Sequence, residues 1–146
     1  MTDGDAALRP LAPPVAALAQ LRDLVAGHSV PFMLVWLGGL VALAPLSLLP
    51  GTAPPTGVWD VDLSLDKFLH VFAYGGLTGI PMLALARRDR LSVAVAIVLL
   101  AAFAYEIGQG FVPGRSFGYD DLIANLGGVA LGVALGAWIR RLPRKL

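Results

Sequence analysis

The chain has 146 residues, is 57% hydrophobic and only 14% charged, carries a formal net charge of +1, and contains no cysteine. A soluble domain carries about 25% charged residues, so this chain is too apolar to face water on all sides. The near-zero charge excludes a basic footprint for nucleic acid. The absent cysteines exclude disulfides, thiolate metal sites and cysteine nucleophiles.

Residues 1–29 do not read as a cleaved signal peptide. They mix Asp3, Asp5 and Asp23 with Arg9 and Arg22, and the first strong apolar run starts only near Val30. Within them "VAALAQLRDLVA", 15–26, fits a short helix lying on the cytoplasmic surface, with Val15, Leu18, Leu21 and Val25 on one face and Arg22 and Asp23 reaching headgroups. A Pro-rich, irregular lead-in reads equally well.

A membrane span needs about 20 mostly apolar residues. Four segments qualify, at roughly Val30 to Leu49, Asp66 to Ala86, Leu91 to Val112 and Asp120 to Ile139. Backbone groups in lipid must pair internally, so these are helices, with Pro45 and Pro81 as candidate kinks in the first two. Nine of the eleven basic residues lie in the N-terminal segment, the "RRDR" connector (Arg87, Arg88 and Arg90) and the tail from Arg140. The positive-inside rule then places both termini and that connector in the cytoplasm, with 50–65 and 113–119 outside. The expected architecture is all-α: a polytopic membrane protein with four transmembrane helices in a compact bundle. Residues 1–29 lead into a transmembrane domain at 30–139, and 140–146 form a basic cytoplasmic tail.

The polar residues of these spans sort to one end. At 100° per residue Asp66, His70 and Tyr74 fall at about 0°, 40° and 80°, with Lys67 at about 100°. On the third span Tyr105, Glu106 and Gln109 share a face. On the fourth, Asp121, Asn125, Gly128, Gly132 and Gly136 lie within about 80°. Small residues at this spacing admit a close helix neighbour, either within the chain or as a homo-oligomer through the Gly128, Gly132 and Gly136 face. The cytoplasmic halves of the same helices are almost wholly apolar. The loop "VPGRSFGYDD" turns at Pro113, Gly114 and Gly118 and hangs Arg115 over the cluster, next to Asp120 and Asp121.

The ordered series "DKFLHVFAYGGLTG", then "YEIGQGFVPGRSFGYDDLIANLGGVALG", resembles the VanZ-like family of small membrane proteins. That family's pattern is Asp-Lys-x-x-His-Phe-x-x-Tyr, then Glu-x-x-Gln, then Pro-Gly-Arg, then Asp-x-x-x-Asn-x-x-Gly. Asp66, Lys67, His70, Tyr74, Glu106, Gln109, Arg115, Asp121, Asn125 and Gly128 match it, and Val71 replaces the commoner Phe. The resemblance covers about 66–132, and the first span matches only in kind. It implies a small multi-pass protein of the bacterial cytoplasmic (inner) membrane, from a family named for a protein associated with teicoplanin resistance. The segment "GRSFGYDDLIANLGG" is also similar in outline to membrane acid phosphatases, but the nucleophilic histidine they need is missing.

Ionisable groups inside a membrane cost about 2.5–3.5 kcal/mol each at the centre and usually serve function. Glu106 and His70 are the candidate acid/base pair, with Asp66 orienting His70 from one turn earlier. The plainer alternative gives Glu106 a structural hydrogen bond to His70 or Tyr74. Lys67 and Arg115 supply anion contacts, Arg115 as a bidentate clamp, and Tyr74, Gln109, Asp121 and Asn125 line the site. In plainer terms Asp66 and Lys67 anchor a helix end, Arg115 snorkels, and Asp120 and Asp121 cap the last helix. Asp66, His70, Glu106 and Asp121 have ligand chemistry for a divalent metal, yet the neighbouring cations reduce the need for one, so neither metal nor cofactor is expected. The expected function is to bind or modify an envelope lipid or lipid-linked precursor at an outward-facing polar site at headgroup depth. A link to glycopeptide (teicoplanin) susceptibility comes with the resemblance alone. The alternatives are a non-catalytic binding or assembly factor, a structural subunit, or a proton or ion pathway. The apolar cytoplasmic half argues against the last.

Overall fold

In the computed structural model the described residues form five helices: α1 (Pro13–Gly27), α2 (Ser29–Leu48), α3 (Asp60–Ala84), α4 (Arg88–Gln109) and α5 (Tyr119–Arg140). The described residues are 12–49, 60–114 and 117–143, with the side chains of 60–66 outside that set, and no strand occurs among them. Among the described residues, α2, α4 and α5 are the helices long and apolar enough to cross a membrane. α3 begins at Asp60 and not at Asp66, where the apolar run starts.

α3 is the central element and touches all four other helices. It runs parallel to α5, because Lys67 meets Asp121, His70 meets Asn125 and Met82 meets Gly136. α2 and α4 run the opposite way, with Trp36 against Leu77 and Leu40 against Tyr105. Trp36, Leu40, Tyr74, Leu77, Ala94, Val98, Ala102 and Val129 form the core between them.

The α3–α5 contact depends on absent side chains. A Cβ on Gly128 would stand 2.5 Å from the Val71 carbonyl oxygen, and one on Gly132 would stand 2.5 Å from that of Gly75. A Cβ on Gly136 would stand 2.5 Å from Met82 Cβ. The two backbones therefore approach as only small residues allow. The glycine face that suits either a neighbouring helix or a second copy is occupied by α3 of the same chain.

The carbonyl freed by Pro81 is taken up by a side chain. Pro81 has no N–H, so the Leu77 carbonyl one turn earlier loses its intrahelical donor. Trp36 Nε1 donates to that carbonyl at 2.8 Å, in the core. Pro45 likewise leaves Val41 without a donor, and beside it the Tyr105 hydroxyl donates to the Leu40 carbonyl at 2.9 Å.

Arginines close the other end of the bundle. Helix ends leave carbonyls unpaired. Arg140 Nη1 donates to the carbonyls of Met82 and Leu85, both at 3.1 Å, and so caps the end of α3. Arg22, only 5% exposed, donates to the Leu142 and Pro143 carbonyls just beyond α5. The helix allowed for at 15–26 is thus present, but its orientation differs from the one expected. Ala19, Arg22 and Val25 form its buried face, while Leu21 and Leu24 are exposed. Arg22 faces inward because unpaired carbonyls await it there.

The outer surface is apolar. Val30, Leu34, Val41, Phe72, Leu100 and Ile123 are all exposed. Contiguous apolar surface on this scale suits hydrocarbon and not water.

Two stability measurements on the detergent-purified protein check these contacts. Gly128→Ala lowers the thermal unfolding midpoint, since overpacking costs about 1–3 kcal/mol. Gly127→Ala does not lower it, because a Cβ there meets nothing within 4 Å. Equal losses at both positions would remove the close crossing. Separately, Trp36→Phe strands the Leu77 carbonyl and costs about 1–3 kcal/mol. In a Pro81→Ala background that carbonyl regains a backbone donor, so the same substitution costs less. Additive losses would show that the indole hydrogen bond does not answer the proline.

Candidate functional site

At the end of the bundle opposite Arg140, α4 unwinds and the chain turns back into α5. Gly110, Phe111 and Val112 donate their amides to the Ile107, Gly108 and Gln109 carbonyls, which tightens the last turn. Gly114, with φ at +81°, takes the left-handed conformation that reverses the chain. This brings the Gly118 amide onto Glu106: the N–H donates to Oε1 at 2.7 Å across twelve residues of sequence.

Glu106 is 1% exposed and is among the largest fully buried side chains. Its second oxygen, Oε2, is buried and has no hydrogen-bond partner among the described residues. Gln109 and Asn125 are buried near this level, as is Tyr74, which lies within electrostatic reach of Tyr105 and Glu106. Thr78 is fully buried as well, its hydroxyl donating to the Tyr74 carbonyl at 2.8 Å.

Two further links tie α3 to α5. Lys67 Nζ lies 2.8 Å from Asp120 Oδ2 and also pairs with Asp121 Oδ1. Asp120 is exposed, whereas Asp121 is largely covered. One turn deeper, His70 Nδ1 and Asn125 Oδ1 are 2.7 Å apart. With the amide oxygen accepting, Nδ1 carries the hydrogen and Nε2 is the basic nitrogen.

Gly118 is where the carboxylates meet. Glu106 Oε1 contacts its amide, and a Cβ there would stand 2.8 Å from Asp121 Oδ2 and 3.0 Å from Asp120 Oδ1. Any side chain at 118 would displace acids from the start of α5. Among the described residues no group of three or more His, Asp or Glu stands close enough together to hold a metal ion.

The structure thus brings Glu106, His70, Tyr74, Gln109, Asn125, Lys67 and Asp121 to one end. Asp66, on α3, has its side chain outside the described residues, as does Arg115 altogether. Some pairings differ from those expected. Glu106 is held by a backbone amide, and not by His70 or Tyr74. Asn125 is a hydrogen-bond partner of His70 from across the helix interface, a contact that single-helix geometry does not reveal. Lys67 is already paired with two acids, so an anion would compete with Asp120 and Asp121 for it. Tyr105, on the same face of α4 as Glu106, directs its hydroxyl to α2. The Gly118 amide is the contact that residue chemistry misses, because any residue but proline offers one. The only signal for it is the Pro-Gly turn that folds the chain back after Glu106.

No curated protein and no solved structure matches this chain. One family model does, described as VanZ/LLP1, over residues 18–140. That range runs from within α1 to the last residue of α5 and takes in both the polar end and the glycine crossing beneath it. Together with a bundle whose outer surface is apolar, it suggests a multi-pass membrane protein, and the chain belongs to the VanZ/LLP1 family.

Proposed function

We propose that this protein crosses the bacterial cytoplasmic membrane four times and binds an envelope lipid or lipid-linked precursor at headgroup depth, on the outer side. α3 serves as the fourth span. Its Phe68, Leu69 and Phe72 are as exposed as the outer residues of α2 and α4, while Lys67 and His70 turn to α5. The arginines of the opposite end, including Arg87, Arg88, Arg90 and Arg140, assign that end to the cytoplasm by the positive-inside rule. Both termini then lie inside, and the polar end faces out.

The observation that carries the reading is Glu106. A buried carboxyl oxygen without a partner costs about 1–3 kcal/mol or more. Here it lies within electrostatic reach of Tyr74, at the end of the bundle where Gln109 and Asn125 are also buried, and a ligand that completes it would recover that cost. Buried, incompletely satisfied ionisable groups in membrane helices mark functional sites. If bound lipid is also converted, Glu106 Oε2 and His70 Nε2 are the atoms able to move protons. Arg115 remains the anion contact by sequence, since Lys67 is shared by two aspartates.

A non-catalytic binding or assembly role is the second reading. The ties of Glu106 to Gly118, His70 to Asn125 and Lys67 to Asp120 and Asp121 favour it, since they brace the cap as a receptor needs. The family resemblance suggests teicoplanin susceptibility as the cellular phenotype to score.

Incubating purified wild type, Glu106→Gln and His70→Ala with total envelope lipid extract, followed by lipid mass spectrometry, decides between these readings. A lipid retained or converted by wild type, and reduced at least about ten-fold in both variants, is the expected result. Conversion identifies an enzyme; retention without conversion identifies a binder. Identical lipid profiles for all three folded proteins would overturn the proposal.

A further inference from the structure

We infer that the group received at this site is an ammonium bearing N–H bonds. The inference rests on the lipid-binding reading above and specifies the chemistry of the headgroup.

The orientation of Glu106 is the first reason. Oε1 already accepts the Gly118 amide at 2.7 Å, which ties the carboxyl to the start of α5 and leaves Oε2 as the atom with unused hydrogen-bonding capacity. A carboxylate oxygen accepts hydrogen bonds, so its complement is a donor. Phosphate oxygens are themselves acceptors and do not complete it.

Charge is the second and independent reason. Glu106, Asp120 and Asp121 converge on Gly118, and Lys67 is already shared between the two aspartates. Among the described residues this leaves three carboxylates against the one lysine. An incoming cation is attracted to this end, whereas an anion must overcome the acid excess. Inside a poorly solvated site that difference is larger than in water. A hydroxyl satisfies Oε2 but leaves the charge excess untouched. A quaternary ammonium answers the charge but has no hydrogen for Oε2. An ammonium with N–H bonds meets both demands.

Phosphatidylethanolamine and phosphatidylcholine with matched acyl chains differ only in whether the headgroup nitrogen bears hydrogens. Native mass spectrometry of the full chain with each lipid, with phosphatidylglycerol and with free ethanolamine is therefore the test. Wild type is expected to retain phosphatidylethanolamine about ten-fold better than phosphatidylcholine. Glu106→Gln should abolish that preference: if its amide oxygen keeps the Gly118 contact, its NH2 group replaces the Oε2 acceptor with a donor. A preference that survives Glu106→Gln would overturn the assignment to Oε2. Equal retention of the two lipids by wild type would overturn the ammonium inference without recourse to any variant. Retention of phosphatidylglycerol above both would also overturn it, while leaving the lipid-binding reading in place. Free ethanolamine bound in place of any lipid would reverse the pattern, upholding the ammonium and removing the lipid. If none of the four binds, both fail.

Discussion

The close approach of α3 and α5 is the constraint from which the rest of the molecule follows. Gly128, Gly132 and Gly136 give up side-chain volume so that the Val71 and Gly75 backbones can lie against them. That contact sets the register between the helices. Lys67 then stands opposite Asp120 and Asp121, and His70 opposite Asn125. A shift of one turn would be about 5.4 Å and would separate all of these pairs. Polar chemistry at one end of the bundle is thus held in place by the lack of side chains further along it.

Surroundings too apolar to hydrate the backbone impose a second demand: every freed carbonyl needs a donor. Long side chains from neighbouring helices supply several such donors. Trp36 answers Leu77 beneath Pro81, Tyr105 reaches Leu40 near Pro45, and Arg140 and Arg22 take the carbonyls at the ends of α3 and α5. Each donor also fastens one helix to another. Against these pairings, Oε2 of Glu106 is buried with no partner among the described residues. The proposed ligand site rests on that oxygen.

The arginines show how one residue serves topology and packing together. Arg140 belongs to the basic end of the bundle, the end that the proposed topology turns to the cytoplasm, and it also caps α3. Arg22 on α1 combines the same two roles at the tail of α5. The sequence pattern exposes only the first role, because charge asymmetry is a property of position along the chain. The second needs a partner carbonyl more than a hundred residues away.

Helical class, the apolar spans and the gathering of polar residues at one end are all legible in the sequence, since they depend on period, composition and rise per residue. Glu106, His70, Tyr74, Gln109 and Asn125 stand where the wheel positions and depths place them. Which partner each one takes is not legible in the same way. Asn125 as a partner of His70, the Gly118 amide for Glu106, and the aspartate pair for Lys67 depend on how helices meet. Period and composition describe one helix at a time. Partner choice depends on distances between helices, and here the glycine crossing and the turn at Gly114 set those distances.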